Sequence, residues 1–155
     1  MIHRYRGGTV PKAPAGRAGP PLSLDRAARD AVQAYQRAMD ENRLDEAAAH
    51  WIELATRANG HIQQTRPWEL AKAQNDAELD RVLTELAATV ARLAVLGQPF
   101  VPATAAAIWA LFPDAPPLET IRLDAEGGGL DELTVSGQRI AKPPILFPKP
   151  KPAPA

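Results

Sequence analysis

No cysteine occurs among the 155 residues, which excludes disulfides, thiolate metal sites and cysteine nucleophiles. Aromatic residues are scarce, at 5% of the chain. No run approaches the roughly 20 apolar residues that a membrane span requires. The opening Met1-Ile2-His3-Arg4-Tyr5-Arg6-Gly7-Gly8 has no apolar stretch of the kind a secretory leader needs. These absences predict a soluble, unexported, cytoplasmic protein with no membrane partner. Net charge is absent too, since 18 basic residues balance 18 acidic ones, yet the distribution is uneven. Arg4, Arg6, Lys12 and Arg17 fall within the first twenty residues without an acid, whereas Asp114, Glu119, Asp124, Glu126, Asp131 and Glu132 gather late. A basic end of this kind suits either a local phosphate-contacting patch or a solvated arm.

What is abundant is alanine, which lifts the hydrophobic share to 45%, together with 16 prolines. That pairing predicts Ala-rich helices between Pro-rich ends. Residues 7–22, dominated by Gly, Pro and Ala, read as a linker. Ser23 is the expected N-cap of a helix whose apolar stripe runs Leu24, Ala28, Ala31, Tyr35, Ala38. Asn42 is the expected cap of the next, with a stripe of Leu44, Ala48, Trp51, Ala55, Ala58 and Ile62. That helix should stop near Thr65, because Pro67 disfavours helical geometry at Arg66 and donates no hydrogen bond. Pro67 then opens a short helix. Asp76 is the expected cap of a long helix carrying Leu79, Leu83, Leu86, Val90 and Leu93, ending at Gly97. Pro102 opens the last, which carries Ala106, Ile108, Trp109, Leu111 and Phe112 and is closed by Pro113. Beyond it the period is lost, apart from short extended pieces at Ile121–Leu123 and Leu133–Val135, and Gly127 to Gly129 form a turn. The prediction is an all-α helical bundle over 23–113, preceded by 1–22 and closed by an irregular Pro-rich tail over 114–155.

Little in this pattern supports catalysis. His50 and His61 lie eleven residues apart on one expected helix. At about 1.5 Å rise per residue, that puts them roughly 16 Å apart, too far to share a metal ion. The Gly-rich stretches lack the flanking strand and the lysine of a phosphate loop. Of the tryptophans, Trp51 and Trp109 fall on apolar stripes and are expected in the core. Trp68 follows Pro67 at a helix junction, with Arg66 before it and Lys72 one turn on. Core packing and exposure are both open for it. If exposed, an aromatic face bounded by cations suits a splayed RNA base, with stacking on the ring and cations on the phosphates.

The run Ala58-Asn59-Gly60-His61-Ile62-Gln63-Gln64-Thr65-Arg66-Pro67-Trp68-Glu69-Leu70-Ala71-Lys72 is similar to the AN-x-Y-I-x-x-x-x-PW-x-LAK signature of the methionyl-tRNA synthetases, with His61 where that pattern usually has an aromatic. His3 to Pro11, Leu79-Asp80-x-Val82-Leu83, Pro99-Phe100-x-Pro102 with Ile108-Trp109, and Ser136 to Pro148 also resemble that family, in its order. The resemblance spans nearly the whole chain. It implies the helical bundle of the class I synthetase anticodon-binding type and a role in tRNA aminoacylation for translation, with the methionine tRNA anticodon as partner. Trp68 is implied to pack on the anticodon. Arg4 matches a basic contact near the end of the family's first helix, and Asn59 and Lys72 match motif positions on the same surface.

The histidine-glycine and lysine-serine motifs of the family's catalytic domain are not present. The chain is therefore expected to be non-catalytic by itself and without a cofactor, since ATP and methionine would bind the absent domain. The family's first anticodon-domain helix appears only as its last turn, Met1 to Arg6, which is expected to leave an apolar groove and a marginally stable bundle. Alternatives are a helical subunit that docks on a separately encoded catalytic chain, or a remnant interaction protein without RNA binding.

Overall fold

The computed structural model describes residues 1–12, 24–123 and 135–143. Among the described residues six α-helices run in the order α1 (Ile2–Arg6), α2 (Leu24–Asp40), α3 (Leu44–Thr65), α4 (Pro67–Lys72), α5 (Asp76–Gly97) and α6 (Pro102–Trp109). A 3-10 turn follows at Leu118–Thr120. No strand occurs among the described residues, and Ile121–Leu123, expected to be extended, belongs to no sheet. Leu133, Ser23 and Gly127 to Gly129 lie outside the described residues.

The helix α5 is the spine. Its first half buries Leu79, Val82, Leu83 and Leu86, while its second half is buried on almost every side through Ala91, Ala94, Val95, Leu96 and Gly97. A single apolar stripe does not describe such a helix, because α2, α3, α4 and α6 all pack on it from different directions. Small residues suit the crowded end, since alanine lets neighbouring backbones approach closely. In α2 the expected Leu24, Ala28, Tyr35 and Ala38 are buried, and Val32 is buried where Ala31 was expected, Ala31 being half-buried against the core.

In α3 the buried line keeps the expected Trp51, Ala58 and Ile62 but takes Ala47 and Leu54 in place of Ala48 and Ala55. Ala47, Leu54 and Ala58 are buried, and Leu44 is 55% exposed. The steps from 47 through 51, 54, 58 and 62 still follow the helical repeat, so the periodicity holds and the line differs only at 47 and 54. The caps differ for a local reason. Asn42 sits in the left-handed region, with φ 58, and ends the turn after α2, where Asn is tolerated. Arg43 occupies the cap position of α3 without a side-chain bond. At α5 the cap is Asn75, whose side chain accepts from the Glu78 backbone N–H at 3.4 Å. Asp76 stands in the first turn, where a carboxylate meets the positive helix end.

Part of the stretch expected to be linker is packed. Val10 is fully buried and donates to the Gln138 carbonyl at 2.9 Å, while Gly137 donates back to Val10 at 3.0 Å. Ile140 N–H reaches the Gly8 carbonyl and Ala141 N–H reaches the Leu111 carbonyl, both within 2.9 Å. This clasp of two irregular segments closes the bundle beside α5, with Thr84 Oγ1 donating to the Pro11 carbonyl.

Candidate nucleic-acid interface

The junction between α3 and α4 decides how Trp68 is presented. Arg66 closes one helix and opens the next in a left-handed conformation, φ 46 and ψ 62. A non-glycine residue there costs about 1–2 kcal/mol, so the surroundings must impose it. They do so through backbone bonds on both sides. Arg66 N–H donates to Ile62 O at 3.0 Å, and its carbonyl accepts from Glu69 N–H at 2.8 Å. Pro67 is buried at the first helical position. Leu70 and Ile62 pack against Val82 and Leu86 on α5. With the apolar side of α4 occupied, Trp68 and Lys72, one turn apart, share the outer face.

Trp68 is 40% exposed. The three tryptophans divide accordingly. Trp51 Nε1 donates to Leu93 O at 3.0 Å and its ring stacks on Phe100 at 6.1 Å. Trp109 is buried and donates to Pro116 O at 2.9 Å. Trp51 is half-buried, flanking the core more than filling it. The Trp68 indole N–H has no acceptor among the described residues, and its ring is left open at the surface. Arg66 is exposed beside it, with Glu69 3.7 Å from its guanidinium.

The other residues singled out in the sequence are also exposed. Asn59 lies on the outer side of α3 and Lys72 at the end of α4. Arg4 projects from α1 with its guanidinium 5.5 Å from the centre of the Tyr5 ring. Among the described residues, no hydrogen bond or ring contact joins Arg4 or Asn59 to Trp68. What brings the two short helices to one end of the bundle is α5. The α4 backbone turns directly into its cap, where Asn75 N–H donates to Leu70 O at 3.0 Å. Arg6 ties α1 to the first turns of α5, pairing with Asp76 at 2.6 Å and with Asp80.

Sequence reasoning passed over Arg6 as an anchor and Arg66 as a left-handed residue. It also passed over a charged cluster behind the junction. There the His61 Nε2 lies 3.4 Å from a Glu85 carboxylate oxygen. Arg81 bonds Glu85 at 2.6 Å and, through its Nε at 2.9 Å, Glu78. The Arg81 hydrogen bond holds Glu78 below the usual carboxylate range. Burial lowers the His61 pKa, against the opposing pull of Glu85. Among the described residues no group of side chains is arranged to hold a metal ion, and no helix is long and apolar enough to cross a membrane.

Fold and surface together define a small all-α bundle with an aromatic-and-cation surface at one end. Residues 12–151 match the family described as the anticodon binding domain of methionyl tRNA ligase, and the chain belongs to that family. Among curated relatives, the methionine--tRNA ligase of Deinococcus radiodurans is 30% identical over 98% of this chain and 21% of its own length. That of Lactiplantibacillus plantarum is 28% identical over 96% of this chain and 22% of its own. The chain thus spans about a fifth of the length of these relatives. The fold is similar to that of Mycobacterium tuberculosis methionyl-tRNA synthetase in its free state, with TM-score 0.79 at 22% identity, covering 99% of this chain and 30% of that one. The complex with methionyl-adenylate gives TM-score 0.70 at 21% identity over 96% of this chain and 28% of that one.

Proposed function

We propose that this domain binds the anticodon of methionine tRNA, with Trp68 stacking on an anticodon base. Arg4 and Lys72 supply cations to the RNA backbone, and Asn59 shapes the same surface. The domain contributes recognition to cytoplasmic aminoacylation of that tRNA. The use of ATP and methionine belongs to other parts of such a ligase.

The observation that carries this reading is the exposure of Trp68, whose indole N–H has no acceptor among the described residues, whereas the other two tryptophans have backbone acceptors. An unstacked loop base offers a flat face that suits such a ring, and the contact is worth about 1–3 kcal/mol. Trp68→Ala is therefore expected to weaken binding of a methionine anticodon stem-loop by roughly ten-fold or more, and to do so more than for other anticodons. Arg4→Ala is expected to lower affinity together with its salt dependence, because one counterion-releasing contact is removed. Undetectable binding by the parent chain, or unfolding by Trp68→Ala, would sink the proposal for this domain.

A further inference from the structure

Behind the exposed junction, His61 and Glu85 form a contact between α3 and α5 that neither packing nor helix formation requires. Their side chains are 11% and 13% exposed, and the facing atoms lie 3.4 Å apart. Neither atom makes an aligned hydrogen bond to any group among the described residues, so their approach is a polar contact across 3.4 Å. A carboxylate oxygen only accepts, and an imidazole nitrogen without hydrogen only accepts. Two acceptors left facing each other out of water would repel, so Nε2 carries the proton and faces the Glu85 carboxylate. Arg81, bound to Glu85 and Glu78 together, fixes the acceptor.

His61 begins the last turn of α3. Its carbonyl accepts from Thr65 Oγ1 at 2.7 Å, Thr65 precedes the left-handed Arg66, and Trp68 follows two residues later. The contact with Glu85 therefore pins the turn from which the Trp68 helix departs. Ile62 and Leu70 grip α5 from the neighbouring positions, and the buried His61–Glu85 contact adds a polar attraction at one point between the same helices.

We infer that His61 is a positioning residue for anticodon binding, its Nε2–H set against the Glu85 carboxylate so that the α3–α4 junction holds Trp68 at the angle needed to receive a base. This rests on the RNA-binding reading above.

The test uses two substitutions of opposite design. His61→Gln keeps a nitrogen donor near the place of Nε2, whereas His61→Leu keeps bulk and removes the donor. Two readouts follow: affinity for the methionine anticodon stem-loop, and the NMR indole N–H resonances, with that of Trp68 assigned by its loss in Trp68→Phe. His61→Leu is expected to shift the Trp68 resonance, leave those of Trp51 and Trp109 in place, and weaken binding about three- to tenfold. His61→Gln is expected to retain both properties. In a Trp68→Ala background, His61→Leu is expected to weaken binding no further, because it acts through Trp68. If Leu and Gln behave alike, or if the loss persists without Trp68, the inference is overturned. Should His61→Leu fail to fold, Glu85→Ala removes the acceptor while Arg81 keeps Glu78, and the same shift is expected. A parent chain that does not bind the stem-loop would overturn the RNA-binding reading and the anticodon role of His61 with it. The indole resonances would still decide whether His61 positions the junction.

Discussion

Two helical glycines, Gly60 in α3 and Gly97 at the end of α5, respond oppositely to the same substitution. Propensity alone predicts that alanine stabilises at both, by up to about 1 kcal/mol, since glycine loses the most backbone freedom in a helix. At Gly60 a new Cβ meets nothing within 4 Å, so the gain should appear in full. For a chain of this size that is about 2–4 °C in Tm. At Gly97 the Cβ falls 2.9 Å from Trp51 Cζ2, 3.0 Å from Cε2 and 3.2 Å from Nε1. The ring cannot retreat freely, because its Nε1 is bonded to Leu93 O and its face lies on Phe100. Overpacking of this sort costs about 1–3 kcal/mol, and a lost indole bond adds to it. After the propensity gain, Gly97→Ala should destabilise by about 1–2 kcal/mol. Thermal and urea unfolding of both variants would read this. The clash also assigns its own control: Trp51→Phe removes the three crowding atoms, so Gly97→Ala in that background should be neutral or stabilising. If Gly97→Ala raises stability with Trp51 intact, the packing argument at this end of α5 is wrong.

Two further outcomes are expected. Arg6→Ala removes the ties from α1 to Asp76 and Asp80, and α1 has no fully buried residue of its own. Faster amide exchange in residues 2–6 should therefore accompany a global loss under about 1 kcal/mol, as partly exposed pairs give, whereas a large fall in Tm would show that α1 carries the bundle. For pH, His61 has its pKa lowered on folding by burial, so the unfolded chain binds its proton first as pH falls through 6.5. Stability from this residue is complete above that pH and lost below it toward the lowered folded value. Unfolding followed between pH 7.5 and 5.5 should show that fall in the parent and a smaller one in His61→Gln, and equal slopes would refute it.

Helix existence was legible in the sequence because apolar spacing and proline placement are local signals. Each of the five expected helices is found, the last ending at Trp109, short of the expected Leu111 and Phe112, and the break before Pro67 falls where its ring forbids a continuing turn. The buried line was less legible. Alanine sits on both the buried and the open sides of α3, so composition could not distinguish a line through Ala47 and Leu54 from one through Leu44 and Ala48. Caps were misplaced by one residue where Asn and Asp adjoin, since Asn75 and Asp76 can both accept from a helix N-terminus. The clasp between Val10 and Gln138 was beyond reach, because pairing between irregular segments leaves no periodic trace. At the candidate site, Trp68 was legible as a ring beside cations, but its exposure depends on α5 occupying the opposite side of α4. The same is true of His61, whose partner Glu85 lies 24 residues further on.

The placement of the site follows from a division between a fixed helix and a sharp corner. α5 is gripped by four other helices, so its first turns offer a steady base to whatever attaches there. The α4 helix is too short to be stable by itself and takes its position wholly from that base and from Arg66. A surface ring on a long helix would share the motions and curvature of that helix. Trp68 instead stands two residues beyond a corner whose left-handed residue is held by backbone bonds on both sides. Order at such a corner would lower the entropy lost in the base stacking proposed for Trp68. It also makes the ring sensitive to the groups behind it, where the contact between His61 and Glu85 ties the end of α3 to α5.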